Sequence, residues 1–259
     1  MRSQQPGLTL FAIGMIGLGI LALVYGDFAL VWQPVAAWIP GRTLLAYCSG
    51  VLMLVGGVGL LLRTTAAYAV RILFPYLIVW MLLKVPAVVV APQMEAVWLG
   101  IGELAVLLTG GWTLFCKLGG LREGSPLRFA NGESGVRLAR MLFAVSLLPI
   151  GLSHIVYVKE TAGLVPAWLP YRAGWAYLTG AGQIACGLGV LFSVFPRVAA
   201  WTEAAMISLF TLLVWAPAIV AAPRRRLPWT AFFISWAIAS AAWVVAQNTV
   251  PKERVSTEA

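Results

Sequence analysis

Long apolar runs divided by short polar breaks set the pattern of this chain. Eight stretches are long enough to cross a bilayer, at residues 8–31, 44–62, 69–91, 97–117, 136–158, 174–195, 198–222 and 228–247. A spanning helix needs roughly 20 mostly apolar residues, and an extended apolar segment in lipid satisfies its backbone only as a helix or a closed barrel. The expected fold is therefore all-α: a polytopic transmembrane helical bundle of about eight spans. The first run continues well past the length of a cleavable signal core, so it reads as an uncleaved span.

The breaks repeat. Ala36-Ala-Trp-Ile-Pro-Gly-Arg and Pro166-Ala-Trp-Leu-Pro-Tyr-Arg place Trp38, Pro40 and Arg42 in register with Trp168, Pro170 and Arg172. The register continues through Ala46, Tyr47, Gly50, Gly57 and Gly59, matched by Ala176, Tyr177, Gly180, Gly187 and Gly189. With one residue inserted, Pro86, Pro92 and Trp98 fall on Pro217, Pro223 and Trp229. Self-similarity at a fixed spacing marks an internal duplication. The expected organisation is a first four-helix repeat at 1–117, a cytoplasmic linker at 118–135, a second repeat at 136–250 and a polar tail at 251–259. An even number of spans per repeat makes the two halves parallel, related by an axis along the membrane normal.

Composition agrees with lipid as the solvent. The chain is 61% hydrophobic and 10% charged, with a mean hydropathy of +0.90; a soluble domain carries about 25% charged residues. Basic residues set the orientation. Arg2, Arg63, Arg71, Lys117, Arg122, Arg128, Arg137, Arg140, Arg197, Lys252 and Arg254 fall on one side, against Arg42, Lys159, Arg172, Arg224, Arg225 and Arg226 on the other. The positive-inside rule then places both termini in the cytoplasm, with the arginine triplet opposing it. The net charge of +9 fits contact with lipid headgroups, and no nucleic-acid motif is present.

The few ionisable residues inside the runs are the candidates for chemistry, because a charge in a bilayer costs about 2.5–3.5 kcal/mol even on the lenient insertion scale. At about 1.5 Å per residue, Asp27 and His154 lie roughly 6 Å from the outer end, Glu103 roughly 9 Å and Lys84 roughly 10 Å. Four helices thus contribute to one layer beneath the two W-x-P-x-R loops. Two readings stand: salt bridges that fix helix packing, such as Lys84 with Glu103, or a polar pocket open to the outer face. The loops likewise read as interfacial Trp anchors or as segments dipping back into the protein, with Arg42 and Arg172 placed to hold an anion or pair an acid. Glu203 stands apart, near the cytoplasmic side. It reads either as a partner of Arg197 or Arg71, or as part of a proton route with Gln183. Gly17, Gly19, Gly56, Gly57, Gly59, Gly182, Gly187 and Gly189 read as close helix contacts.

One histidine excludes a bis-His haem or a haem–copper centre built by this chain alone. Cys48, Cys116 and Cys186 lie at different depths without metal spacing, and no nucleotide or triad motif occurs. No intrinsic cofactor or metal is expected.

The second half, through Gly151-Leu-Ser-His154, Val165-Pro-Ala-Trp-Leu-Pro170, Tyr177-Leu-Thr-Gly180 and Gly187-Leu-Gly189, resembles the DoxX-like family of bacterial integral membrane proteins. The resemblance covers most of 141–247. The first half is looser, with Asp27 standing roughly where the pattern has its histidine. The resemblance implies tandem four-helix units in the bacterial inner membrane and redox-linked work, as the membrane subunit or partner of a quinone-linked oxidoreductase. On that reading His154 exchanges protons, Arg42, Arg172, Asp27, Lys84, Glu103, Trp38 and Trp168 form the substrate site, and quinone is the ligand. Two other classes remain open: a membrane scaffold or assembly factor without catalysis, and a small-solute transporter.

Overall fold

The computed structural model describes residues 6–121 and 128–249. Arg2, Arg122, Lys252, Arg254, the side chain of Arg128 and the polar tail at 251–259 lie outside the described residues. Every regular element among those described is helical. In chain order these are α1 (Pro6–Tyr25), α2 (Arg42–Leu61), α3 (Ala66–Leu82), α4 (Val85–Val90), α5 (Glu95–Leu114), α6 (Gly132–Val156), α7 (Val158–Leu164), α8 (Arg172–Leu191), α9 (Pro196–Phe210), α10 (Ala216–Ala221) and α11 (Arg226–Gln247).

Seven helical stretches are long and apolar enough to cross a membrane: α1, α2, Ala66–Val90, Glu95–Gly119, α6, Pro196–Ala221 and α11. The protein is a multi-pass α-helical membrane protein. The remaining expected span is present as α8, a helix of 20 residues. Arg172, Gln183 and its glycines leave α8 less apolar than the rest, so it is not among the seven. Proline shapes two of the three composite stretches. A proline clashes with the carbonyl four residues back and donates no hydrogen bond. Pro86 lies just beyond the break between α3 and α4, and Pro217 follows the π turn at Thr211–Trp215 that joins α9 to α10.

α1 packs on α2 and α11, α6 on α5 and α8, and α9 on α8 and α11. One core runs through both halves, from Phe11, Met15 and Leu18 through Leu73, Trp80 and Leu107 to Phe143, Leu147, Ile234 and Ala241. Val24, Val55, Val90, Leu178, Val198 and Val220 point outward, where a lipid-facing helix presents apolar side chains. Glycine permits the closest crossings. A Cβ on Gly19 would lie 2.8 Å from the Gly50 carbonyl oxygen, and one on Gly151 would lie 2.5 Å from that of Gly180. α2 and α8 begin at Arg42 and Arg172 and have 20 residues each. Buried and exposed positions follow the same order over 51–60 and 181–190.

Candidate functional site

The segment after α1 organises one end of the bundle, here termed the loop end. α1 stops at Tyr25 because Gly26 adopts φ +58°, a left-handed turn that costs glycine little. The chain then folds inward through a short 3-10 turn at Leu30–Trp32 and buries Gln33, which is 3% exposed. Gln33 Nε2 donates to Tyr76 Oη at 2.7 Å, and its Oε1 accepts the Ala29 amide at 2.9 Å. The Val31 carbonyl accepts from Lys84 Nζ at 2.6 Å, and the Trp32 carbonyl accepts from the Trp80 indole. The Trp32 indole in turn donates to Glu103 Oε2 at 2.7 Å. The first run therefore ends six residues earlier than its hydropathy implies, and residues 28–33 form a plug whose Trp32 and Gln33 side chains and 31–32 carbonyls bond to protein.

This geometry moves Asp27 out of the first span and into the loop. Its carboxylate pairs with Arg42 through Oδ1 and with Arg226 through Oδ2, the latter at 2.8 Å. Both cations also lie over rings, Arg42 5.5 Å from Phe28 and Arg226 5.1 Å from Tyr25. Burial opposes ionisation of Asp27. Hydrogen bonds from Arg226, the Phe28 amide and Arg42 outweigh it and hold the carboxyl below its ordinary 3.8. A lowered carboxyl contributes stability that is present above the unfolded value and lost as pH falls through the folded one. Asp27→Asn should thus cost about 1 kcal/mol at neutral pH, the scale of a part-exposed pair. Thermal unfolding in detergent should show that difference closing as the pH drops below the ordinary carboxylate value.

Beneath the plug lies a cavity of about 190 Å³. α5, α6, α8, α9 and α11 wall it, while Trp32 and the α7 residues Thr161 and Leu164 also line it. Among apolar residues such as Leu99, Ile150, Phe210 and Ile234 it presents Glu103, His154, Thr179, Gln183 and Ser235. His154 comes from the last turn of α6, and Thr179 and Gln183 share a face of α8, one turn apart. His154 Nδ1 lies 2.8 Å from Thr179 Oγ1. The threonine hydroxyl already donates to backbone, at 2.9 Å from the Trp175 carbonyl and 3.1 Å from that of Ala176. Its remaining role is as acceptor, which assigns the proton of a neutral imidazole to Nδ1 and leaves Nε2 as an acceptor. Two other hydroxyls in the lining bond within the protein, Ser235 to Thr211 at 2.6 Å and Ser153 to the Ile150 carbonyl at 2.7 Å. The groups available to a ligand include Glu103, His154 Nε2, the Thr161 hydroxyl and the Gln183 amide oxygen, which is buried without a hydrogen-bond partner.

Of the residues singled out in the sequence, Glu103, His154 and Gln183 meet in this cavity. Lys84 stands beside it, its Nζ 3.1 Å from where a Cβ on Gly100 would be. The expected Lys84–Glu103 ion pair is not among those of the described residues, because the plug supplies each with a partner: Val31 to the lysine and Trp32 to the glutamate. Asp27 and Arg42 form the surface cluster with Arg226. Trp38 and Trp168 are 82% and 72% exposed, and Arg172 is exposed at the start of α8. Glu203 is fully buried and bonds Gln183 at 3.5 Å; Arg71 instead donates to the Gly119 carbonyl at 2.7 Å. Sequence reasoning missed Trp32, Gln33, Thr179 and Arg226. Only Thr179, one helical turn from Gln183, left a readable signal. Among the described residues no group of three or more His, Cys, Asp or Glu could hold a metal, and the three cysteines are free thiols.

Residues 143–241, from within α6 to within α11, match the model of a domain of unknown function, DUF8561. The matched segment contains His154, Thr179, Gln183 and Glu203 but neither Trp32 nor Glu103. No curated protein and no solved structure matches the chain.

Proposed function

We propose that this protein is a quinone-binding membrane protein of the DoxX-like type, working as the membrane-embedded subunit or partner of a redox enzyme. One observation carries the reading: two ionisable side chains, Glu103 and His154, line the same cavity among apolar residues such as Leu99, Ile150, Phe210 and Ile234. At about 190 Å³ it is smaller than the roughly 300–1,000 Å³ of a drug-sized pocket and suits a single oxygenated ring. The donor set fits that chemistry. His154 and Glu103 can hold or release a proton at a ring oxygen, and the phenyl ring of Phe210, 5.9 Å from the imidazole, supplies an apolar wall. Quinone reduction takes two electrons, which the partner enzyme would supply, and two protons, which these residues would deliver.

The matching lengths and burial order of α2 and α8, and the equivalent indole-to-proline bonds of Trp98 to Pro92 and Trp229 to Pro223, both 2.8 Å, support two parallel four-helix repeats. In that arrangement one repeat supplies Trp32 and Glu103 and the other supplies His154, Thr179 and Gln183. The basic-residue distribution supports a bacterial inner-membrane protein with cytoplasmic termini and the cavity nearer the outer face.

Mass spectrometry of the organic extract from protein purified in mild detergent tests this. Wild type should carry quinone near one per chain, and His154→Ala should carry at least ~10-fold less, the effect of about 1.4 kcal/mol. Wild type without quinone would reject the redox reading and favour the scaffold.

A further inference from the structure

The cavity has a floor with chemistry of its own. Gln183, 5% exposed, donates through Nε2 to Glu203 Oε1 at 3.5 Å, and Glu203 is 0% exposed at the centre of α9. The Gln183 amide oxygen and Glu203 Oε2 are both buried without a partner. Two unpartnered acceptors on one hydrogen-bonded pair of side chains, one of them a carboxyl oxygen, match a site that holds a hydrogen. The groups facing Glu203 supply no cation. α8 offers Gln183 and Cys186, α9 itself carries only Arg197 near its start, and α11 has no titratable residue after Arg226 at its first position. Among the described residues Glu203 forms no ion pair.

Packing does not require these residues. The positions 130 earlier are Met53 and Leu73, each 1% exposed, so apolar side chains fill the corresponding places in the first half. Replacing a buried polar pair by well-packed apolar residues is often neutral or stabilising, so its presence points to a role other than stability.

We propose that Glu203 is a proton-holding site that exchanges with the cavity through Gln183, serving as the proton store for a ligand bound beside His154. This rests on the ligand reading above only for what the proton is used for. The step is a proton transfer, with the Gln183 amide rotated so that its oxygen faces Glu203. The Glu203 O–H bond breaks as that oxygen takes the proton, and an Nε2–H bond breaks as His154 or a cavity water takes the other. The imidic acid and carboxylate left behind revert in the reverse transfer. No electron moves.

Infrared spectroscopy of the purified full chain in D₂O reads this directly. Wild type should show a protonated-carboxyl stretch component that is lost in Glu203→Gln, kept in Glu103→Gln, and shifts as deuterium replaces hydrogen. Gln183→Met should retain the band but slow its exchange by at least ~10-fold, because the polar contact between Glu203 and the cavity is removed. The double variant Gln183→Met, Glu203→Leu copies the first half and should fold with a melting temperature no lower than wild type. Should Gln183→Met not fold, Gln183→Leu serves in its place. A spectrum from which Glu203→Gln removes no protonated-carboxyl component, or exchange unaffected by either Gln183 variant, overturns the proposal. Gln183-dependent exchange in a protein that retains no quinone would sustain this proposal and sink the ligand reading alone. Normal quinone retention with Gln183-independent exchange would do the reverse.

Discussion

Glu103→Leu should weaken binding of a short-chain quinone by roughly 10- to 100-fold, the consequence of leaving a buried indole donor unpaired at about 1–3 kcal/mol. The effect comes through two routes that a second variant separates. Glu103 accepts the Trp32 indole at 2.7 Å, so it holds the plug over the cavity as well as lining it. Glu103→Gln keeps an oxygen for Trp32 and the shape of the side chain, so the plug should stay closed. Binding measured by titration calorimetry should then fall only a few-fold, on the scale of about 1 kcal/mol for one altered hydrogen bond. Loss of pH dependence in Glu103→Gln with near-normal affinity would identify the carboxyl as a proton donor; loss of affinity equal to that of Glu103→Leu would make it a positioning group for Trp32.

The largest effect on the fold is expected at the α6–α8 crossing. A Cβ on Gly180 would lie 2.6 Å from the Gly151 carbonyl oxygen and 2.9 Å from the His154 Cβ. Backbone cannot give way as a flexible side chain can, and helices in lipid associate largely through such close packing. Gly180→Val should cost about 3 kcal/mol or more, at the upper end for overpacking. Size-exclusion chromatography in detergent should show loss of the monodisperse species. Gly163→Ala is the control, because nothing lies within 4 Å of its added methyl, and it should behave as wild type. A Gly180→Val protein as stable as wild type would mean that α6 and α8 do not cross there.

The helices were legible because lipid permits little else for an apolar run of this length. Position along the bundle was legible only in part: Glu103 and His154 line one cavity, but Asp27 leaves the expected layer because α1 ends at Tyr25. Direction around each helix was not. Arg224, Arg225 and Arg226 read alike in sequence, and only the rotation of α11 decides that Arg226 meets Asp27. The plug was hidden for a different reason. Leu30-Val31-Trp32 continues the apolar character of α1, and Gln33 becomes tolerable in the interior only because Tyr76 and Ser49 arrive from α3 and α2. That same plug explains why Lys84 and Glu103, close in depth and opposite in charge, each bond to the 31–32 turn instead. α8 lies at the margin of apolarity because it carries the polar floor of the cavity, Thr179 and Gln183, on a helix otherwise rich in small residues.

Photo-crosslinking with an azido-quinone, followed by peptide mapping, tests the central claim most directly, since it reports where a ligand sits rather than whether one binds. Label should fall on the cavity walls, on peptides of α5, α6 and α8 around Glu103, His154 and Thr179, and excess unlabelled short-chain quinone should suppress it. Label confined to the lipid-facing groove of α2 and α3, around Val51, Val55 and Ile72, would contradict the account and leave the Glu103–His154 layer without a ligand.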